Sequence, residues 1–290
     1  MTLLLSIIHR VQFTEVLDAI TQEKNIQCYA EIALALFNTS TPPGIGSLLC
    51  LDKSTTDRNP KPLLGPCIST DARPAPKRFE TIADYFKWLL VRKRTSSTIG
   101  AAAEDRETAD RVLRDVEELI LRHISNFEEE LLRSVPSHDD FGAHNVFINN
   151  DGTIAGVIDW EFHSIKPVVL AVNYPDWIRY DGCSDPRFVD RGGQFSHFWV
   201  EGPKEAEILR RKYESVGVFS RRNRISMTNR LLQIDIVKSN KYYRLALQKG
   251  AACRAAEEWL TRSIPDPGCR RLRAWLRDVL DKEKEDEKVQ

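Results

Sequence analysis

The sequence predicts an α+β protein, mainly helical, with a small β-hairpin region near its centre. Three observations predict it. Apolar residues recur at helical spacing over residues 12–37, 82–94 and 104–132. Two short runs rich in β-branched and aromatic residues, 146–148 and 154–158, flank Asn149-Asn150-Asp151-Gly152, a tight-turn sequence. The 290-residue chain is 42% hydrophobic and 29% charged, which suits a globular domain with a substantial core.

Taken in order, residues 12–37 place Leu17, Ile20, Ile26, Tyr29, Ile32, Leu34 and Leu36 at roughly helical spacing. Thr41-Pro42-Pro43-Gly44 breaks that helix. A short strand over 46–51 and a second over 63–68 are placed to pair, with polar loops at 52–62 and 72–77. Residues 82–94 form the next helix, with Tyr85, Phe86, Leu89 and Leu90 on one side. A longer helix over 104–132 carries Val112, Val116, Leu119, Ile120, His123, Ile124 and Phe127 on an apolar stripe, and Pro136 closes the segment. After Pro167 the pattern is mainly helical. Charged residues fill 281–290, which reads as a disordered tail behind a domain spanning 12–280.

Net charge is zero, but residues 101–180 hold 16 acidic against 7 basic side chains. A negative site suits a divalent metal or a cationic substrate, although Glu128, Glu129 and Glu130 read as a solvated helix face. Arg210-Arg211-Lys212 and Arg221-Arg222-Asn223-Arg224 also read as solvated faces in a neutral domain, so no nucleic-acid partner is expected. The apolar opening at 3–8 is interrupted by Ser6 and is too short to span a membrane, so the expectation is a cytoplasmic protein with no membrane partner. Six scattered cysteines form no CxxC pair, which argues against a zinc site and gives no disulfide framework.

The chemistry concentrates at 138–161. His138-Asp139-Asp140-Phe141-Gly142-Ala143-His144-Asn145 contains H-x-D-x-x-x-x-N, and Val157-Ile158-Asp159-Trp160-Glu161 follows the hairpin. Phosphoryl transfer needs one carboxylate to orient a hydroxyl and take its proton, with an amide oxygen and a second carboxylate to hold Mg²⁺. Asp140, Asn145 and Asp159 supply that set, and the hairpin between the last two brings them together.

These motifs resemble the catalytic core of the aminoglycoside phosphotransferase/choline kinase-like superfamily, above all its fungal members with H-x-D-F-x-x-x-N and G-V-I-D-W-E. Gly44-Ile45-Gly46-Ser47-Leu48, Gly65-Pro66 and Pro175-Asp176-Trp177 resemble further landmarks, and the likeness extends over about 12–200. The resemblance implies the carboxy-terminal lobe of a protein-kinase-like fold that uses ATP and Mg²⁺. It implies Asp140 as catalytic base, Asn145 and Asp159 as metal ligands, and His138 as structural support of the catalytic loop, against an equal reading as a packed histidine. Glu161 reads as a surface residue sooner than an extra acid, and Trp160 as packing. The partners implied are a nucleotide and a small-molecule acceptor whose identity the sequence does not carry. Enzymes of this type also have an amino-terminal lobe with a glycine-rich loop and a phosphate-pairing lysine. Neither is legible here, so the expectation is a carboxy-lobe without its partner and with weak nucleotide affinity. The alternative is a catalytically inactive kinase-like binding or scaffold protein (a pseudokinase), or a truncated gene product.

Overall fold

The computed structural model describes residues 19–49, 63–67, 75, 77–98, 103–142, 145–149, 153–174, 208, 210–214, 241–261 and 277. Among the described residues the fold is mixed, with helices packed around three small antiparallel sheets of two strands each. Helix α1 (Ala19–Phe37) buries Ile26 and Tyr29 of the expected stripe together with Ala30 and Phe37, which the spacing did not single out, while Ile32, Leu34 and Leu36 are half-buried. Strand β1 (Ser47–Leu49) pairs with β2 (Leu63–Gly65), the two strands expected there. The loops at 52–62 and 72–77, the segment before α1 and the tail at 281–290 lie outside the described residues, apart from Ala75 and Lys77.

Gly44 and Gly46 make the turn between α1 and β1 possible. Gly44 has φ +113°, open to glycine and costly for any other residue. A Cβ on Gly46 would lie 2.0 Å from the Gly65 carbonyl oxygen. That close approach lets Ile45 exchange backbone hydrogen bonds with Phe79 while Gly46 exchanges them with Ile165. The turn thus stitches α1 to the central sheet.

Helix α2 (Ile82–Thr98) packs against α3 (Ala103–Ile124), burying Phe86, Leu89 and Leu90 against Val112, Val116 and Ile120. The single helix expected over 104–132 is two. After Ile124 the chain tightens into 3₁₀-type bonds, with Asn126 N–H donating to the His123 carbonyl and Phe127 N–H to that of Ile124. The Ser125 hydroxyl also takes the Arg122 carbonyl, the kind of local bond that competes with helix continuation. Phe127 turns back onto the His123 ring, centroids 4.6 Å apart, and α4 (Glu129–Leu132) starts afresh.

Pro136 does not simply end that segment. It lies inside β3 (Ser134–His138), which pairs with β6 (His163–Pro167). Proline is tolerated because, among the described residues, one edge of β3 has no strand partner. The hairpin β4 (Val146–Ile148) and β5 (Ile154–Val157) lies between these strands in sequence and forms as predicted, with a register irregularity at Phe147/Ile148. A short helix α5 (Val168–Ala171) follows β6. Residues 241–249 are helical, and α6 (Ala251–Thr261) continues beyond Gly250 to pack on α2, α3 and α5. Buried Arg254 of α6 donates to the carbonyls of Val169, Ala246 and Leu247, joining α5, the 241–249 helix and α6. Cys67 and Cys253 are buried, Cys28 is half-buried, and none of the three is in a disulfide. Burial pushes the Cys67 pKa up to about 12, which leaves it unreactive. Among the described residues no helix is long and apolar enough to cross a membrane.

Candidate active site

Side chains alternate across the β3–β6 sheet, and this alternation organises the site. Val135 and Ser137 share one face with Ser164 and Lys166. Pro136 and His138 share the other with His163 and Ile165. The candidate catalytic loop begins directly after His138, at the end of this ladder.

His138 is buried and bonded at both ring nitrogens. Its Nε2 lies 2.7 Å from the Ile158 carbonyl oxygen, and its Nδ1 accepts the Asp140 backbone N–H at 3.3 Å. A neutral ring with its proton on Nε2 satisfies both bonds at once. The imidazole thus spans from the residue before Asp159 to Asp140 itself. Its ring also meets the Trp160 ring edge-on, centroids 4.7 Å apart.

Asn145 is buried, and its side-chain Nδ2 donates to the Asp140 backbone oxygen at 2.8 Å and to Asp140 Oδ2 at 3.0 Å. Its backbone oxygen accepts the Ile158 N–H at 3.0 Å. With the nitrogen turned to Asp140, the amide oxygen is the end left for a cation. Gly142 N–H donates to the Asp140 carbonyl and Asn145 N–H to that of Gly142, so the loop turns tightly around Asp140. Phe141 holds the loop to α1 by packing on Tyr29, ring centroids 4.7 Å apart.

Asp159 follows β5 in the left-handed region, φ 61° and ψ 40°, where a non-glycine residue costs about 1 kcal/mol. Among the described residues it is the one non-glycine residue with positive φ. The backbone reverses there into a 3₁₀ turn (Trp160–Phe162), which lifts the aspartate side chain into solvent. Trp160 Nε1–H donates to the Val157 carbonyl, and His163 Nδ1 lies 2.5 Å from the Trp160 carbonyl oxygen, while its Nε2 accepts the Leu48 N–H. Trp160 packs as expected, though its ring is 39% exposed, and Glu161 is on the surface. His144 lies outside the described residues.

One amide oxygen and one carboxylate form a hard, oxygen-only donor pair, which suits Mg²⁺ that keeps waters and substrate phosphates in its remaining positions. Among the described residues no group of three or more His, Cys, Asp or Glu could hold an ion by itself. An open cleft of about 810 Å³ lined by Glu80, Glu128, Glu129, Glu130 and Tyr242 contains none of His138, Asp140, Asn145 and Asp159. The acidic middle of the chain is therefore spent partly there and partly on α3, where Glu107 and Glu118 pair with Arg111 and Arg122.

Sequence reasoning gave no role to Asp139, Ser164, Lys166 or Glu257 and placed Tyr85 only on an apolar helix face, yet these five form a network beneath the loop. Lys166 Nζ is 3.0 Å from Asp139 Oδ1 and 3.0 Å from Glu257 Oε1. Ser164 donates to Asp139 Oδ1 at 2.8 Å, and Tyr85 donates to Glu257 Oε1 at 2.7 Å. Burial disfavours the Lys166 ammonium, but the Asp139 and Glu257 carboxylates outweigh it and hold its pKa above the ordinary value. Burial, then the Glu257 charge, pushes the Tyr85 phenol well up. The position of Glu257, far along the chain, left no local signal for this contact.

The loop that holds Asp140 and Asn145 is joined through a hairpin to a second acidic loop, and the comparison with known families points to phosphotransferases. Residues 69–170 match the phosphotransferase enzyme family. Over 250 residues the chain is 35% identical to "Clavilactone A biosynthesis cluster protein Y" of Ampulloclitocybe clavipes, across 84% of this chain and 54% of that one. The chain thus spans about half the length of this curated relative. No solved structure matches it.

Proposed function

We propose that this domain transfers the γ-phosphoryl group of ATP to a hydroxyl of a small molecule. The observation that carries the reading is the coupling of Asp140, Asn145 and Asp159. The Asn145 side chain bonds Asp140, and its backbone bonds Ile158, next to Asp159. Asp140 orients the acceptor hydroxyl and takes its proton as the oxygen attacks the γ-phosphorus; the bond to the β–γ bridging oxygen breaks, and ADP leaves. Asn145 and Asp159 would hold Mg²⁺, which when bound offsets charge on the nucleotide phosphates. His138 keeps the two loops in register through its bonds to Asp140 and Ile158. The relative's name assigns it to a biosynthesis cluster, which supports a small-molecule acceptor. The ATP this reaction consumes is consistent with a cytoplasmic setting.

Calorimetry of Mg²⁺-dependent ATP binding by the purified chain and by Asp159→Asn tests this. Binding by the wild type and none by the variant supports the site, and an acceptor screen with Asp140→Asn as control follows. Binding by neither removes the catalytic reading for this chain and favours a kinase-like binding protein.

A further inference from the structure

We infer that Lys166 is a positioning residue for the catalytic loop. It holds Asp139 against α6, so that His138 and Asp139 fix the loop from opposite faces of the β3–β6 sheet. The inference rests on the reading of Asp140 as the base.

Residues 138 and 139 are adjacent, and strand alternation sends their side chains opposite ways. His138 points to the hairpin and bonds the Ile158 carbonyl. Asp139 turns to the face that carries Ser164 and Lys166, and both bond its Oδ1. Lys166 in turn grips Glu257 of α6, which Tyr85 of α2 also holds. The loop start is thereby tied to the hairpin on one side and to two helices on the other.

The Lys166 and Glu257 side chains are only 14% and 12% exposed, and that of Asp139 is 26% exposed. A buried ion pair adds little net stability over apolar packing, so stability is a poor account of this network. Direction is a better one. Two donors on a single carboxylate oxygen leave the Asp139 side chain one orientation, and the peptide linking it to Asp140 follows. One ammonium also separates two carboxylates. Without it, they face each other with little water, and Asp139 is the one free to swing outward, because it lies on a loop while Glu257 lies inside a helix.

Hydrogen–deuterium exchange on the full chain without nucleotide tests the inference, using wild type, Lys166→Met, Asp139→Asn and the double variant. Lys166→Met should speed amide exchange over 138–145 by about tenfold or more, with α1 and α3 unchanged. The double variant removes the repulsion between Asp139 and Glu257 and should recover part of the melting temperature, yet its loop should still exchange fast. Should Lys166→Met fail to fold, Asp139→Asn keeps the Lys166–Glu257 pair and carries the same expectation. Unchanged exchange over 138–145, a rise spread evenly over all helices, or a loop restored in the double variant would each overturn the proposal. None of these readings requires ATP. A chain that binds no nucleotide loses its phosphotransferase assignment while the role of Lys166 is still decided. Where ATP hydrolysis is measurable, Lys166→Met should lower kcat about tenfold at constant KM for ATP, and a change in KM alone counts against it.

Discussion

Two of the three sheets lie one inside the other in sequence, and they differ in what surrounds them. The β4–β5 hairpin is half-exposed along β5, carries Asn145 just before it and Asp159 just after it, and ends in a left-handed residue. The β3–β6 ladder that encloses it is largely buried, with Val135 and Ile165 fully so, and is tied to Gly46, α5 and α6. On the proposed reading, one sheet displays the candidate chemistry and the other holds it in place. The lesson is that the candidate carboxylates tolerate solvent and strain because a rigid neighbour fixes the loop between them.

The comparison breaks most sharply at Asp140. Asp140→Asn should lower kcat by about 10²–10⁴-fold, since it removes the proton acceptor, with the melting temperature nearly unchanged. Steady-state kinetics beside thermal unfolding checks both halves. Ile165→Ala should do the reverse. Ile165 is fully buried in the ladder, and a cavity there should cost about 2–5 kcal/mol in a urea titration. The same change at half-buried Ile154 in the hairpin should cost about 1 kcal/mol. Equal losses at the two positions would show that the sheets do not differ in the way described.

His138 joins the two regions, so His138→Ala should affect both. Losing its bonds to Ile158 and Asp140 should cost about 1–3 kcal/mol of stability and weaken Mg²⁺-dependent ATP binding as well. A variant that loses stability but binds ATP as the wild type does would return His138 to the role of a packed histidine.

The two sheets also differ in how far the sequence revealed them. The hairpin is local: Val146 to Val157 alternate around a turn sequence, and both candidate ligands flank it. The ladder pairs residues separated by that whole hairpin, and Pro136 within it reads as a breaker, because nothing local says that its strand has an open edge. The split between α3 and α4 was hidden for a related reason, since Phe127 keeps the helical apolar spacing while its backbone has already left the helix. Asp140, Asn145, Asp159 and His138 were legible through motif spacing. Lys166 and Glu257 were not, because an ion pair between distant elements leaves no periodic trace.

Alkaline titration gives a smaller effect that isolates the support region. The folded-state pKa values of Lys166 and Tyr85 lie above their ordinary values of 10.5 and 10.0. The fold therefore keeps protons that the unfolded chain gives up, and the stability they contribute is complete below about pH 10 and is lost as pH rises further. The wild-type melting temperature should fall above pH 10, with a shallower fall in Tyr85→Phe, as circular dichroism would register. Identical slopes would mean that the Tyr85 phenol keeps no proton that the unfolded chain gives up.

The smallest effect should come from Asp159→Gly, and its sign is the informative part. Glycine takes φ 61° without the penalty an aspartate meets, so the variant should gain about 0.5–1 kcal/mol, less what glycine adds to the entropy of the unfolded chain. It should simultaneously lose Mg²⁺-dependent ATP binding. A higher melting temperature with lost binding would mean that strain at this position is retained for its carboxylate, as expected where stability is given up for function. A lower melting temperature would instead place Asp159 among the residues that hold the hairpin together, and the division between display and support would not extend to it.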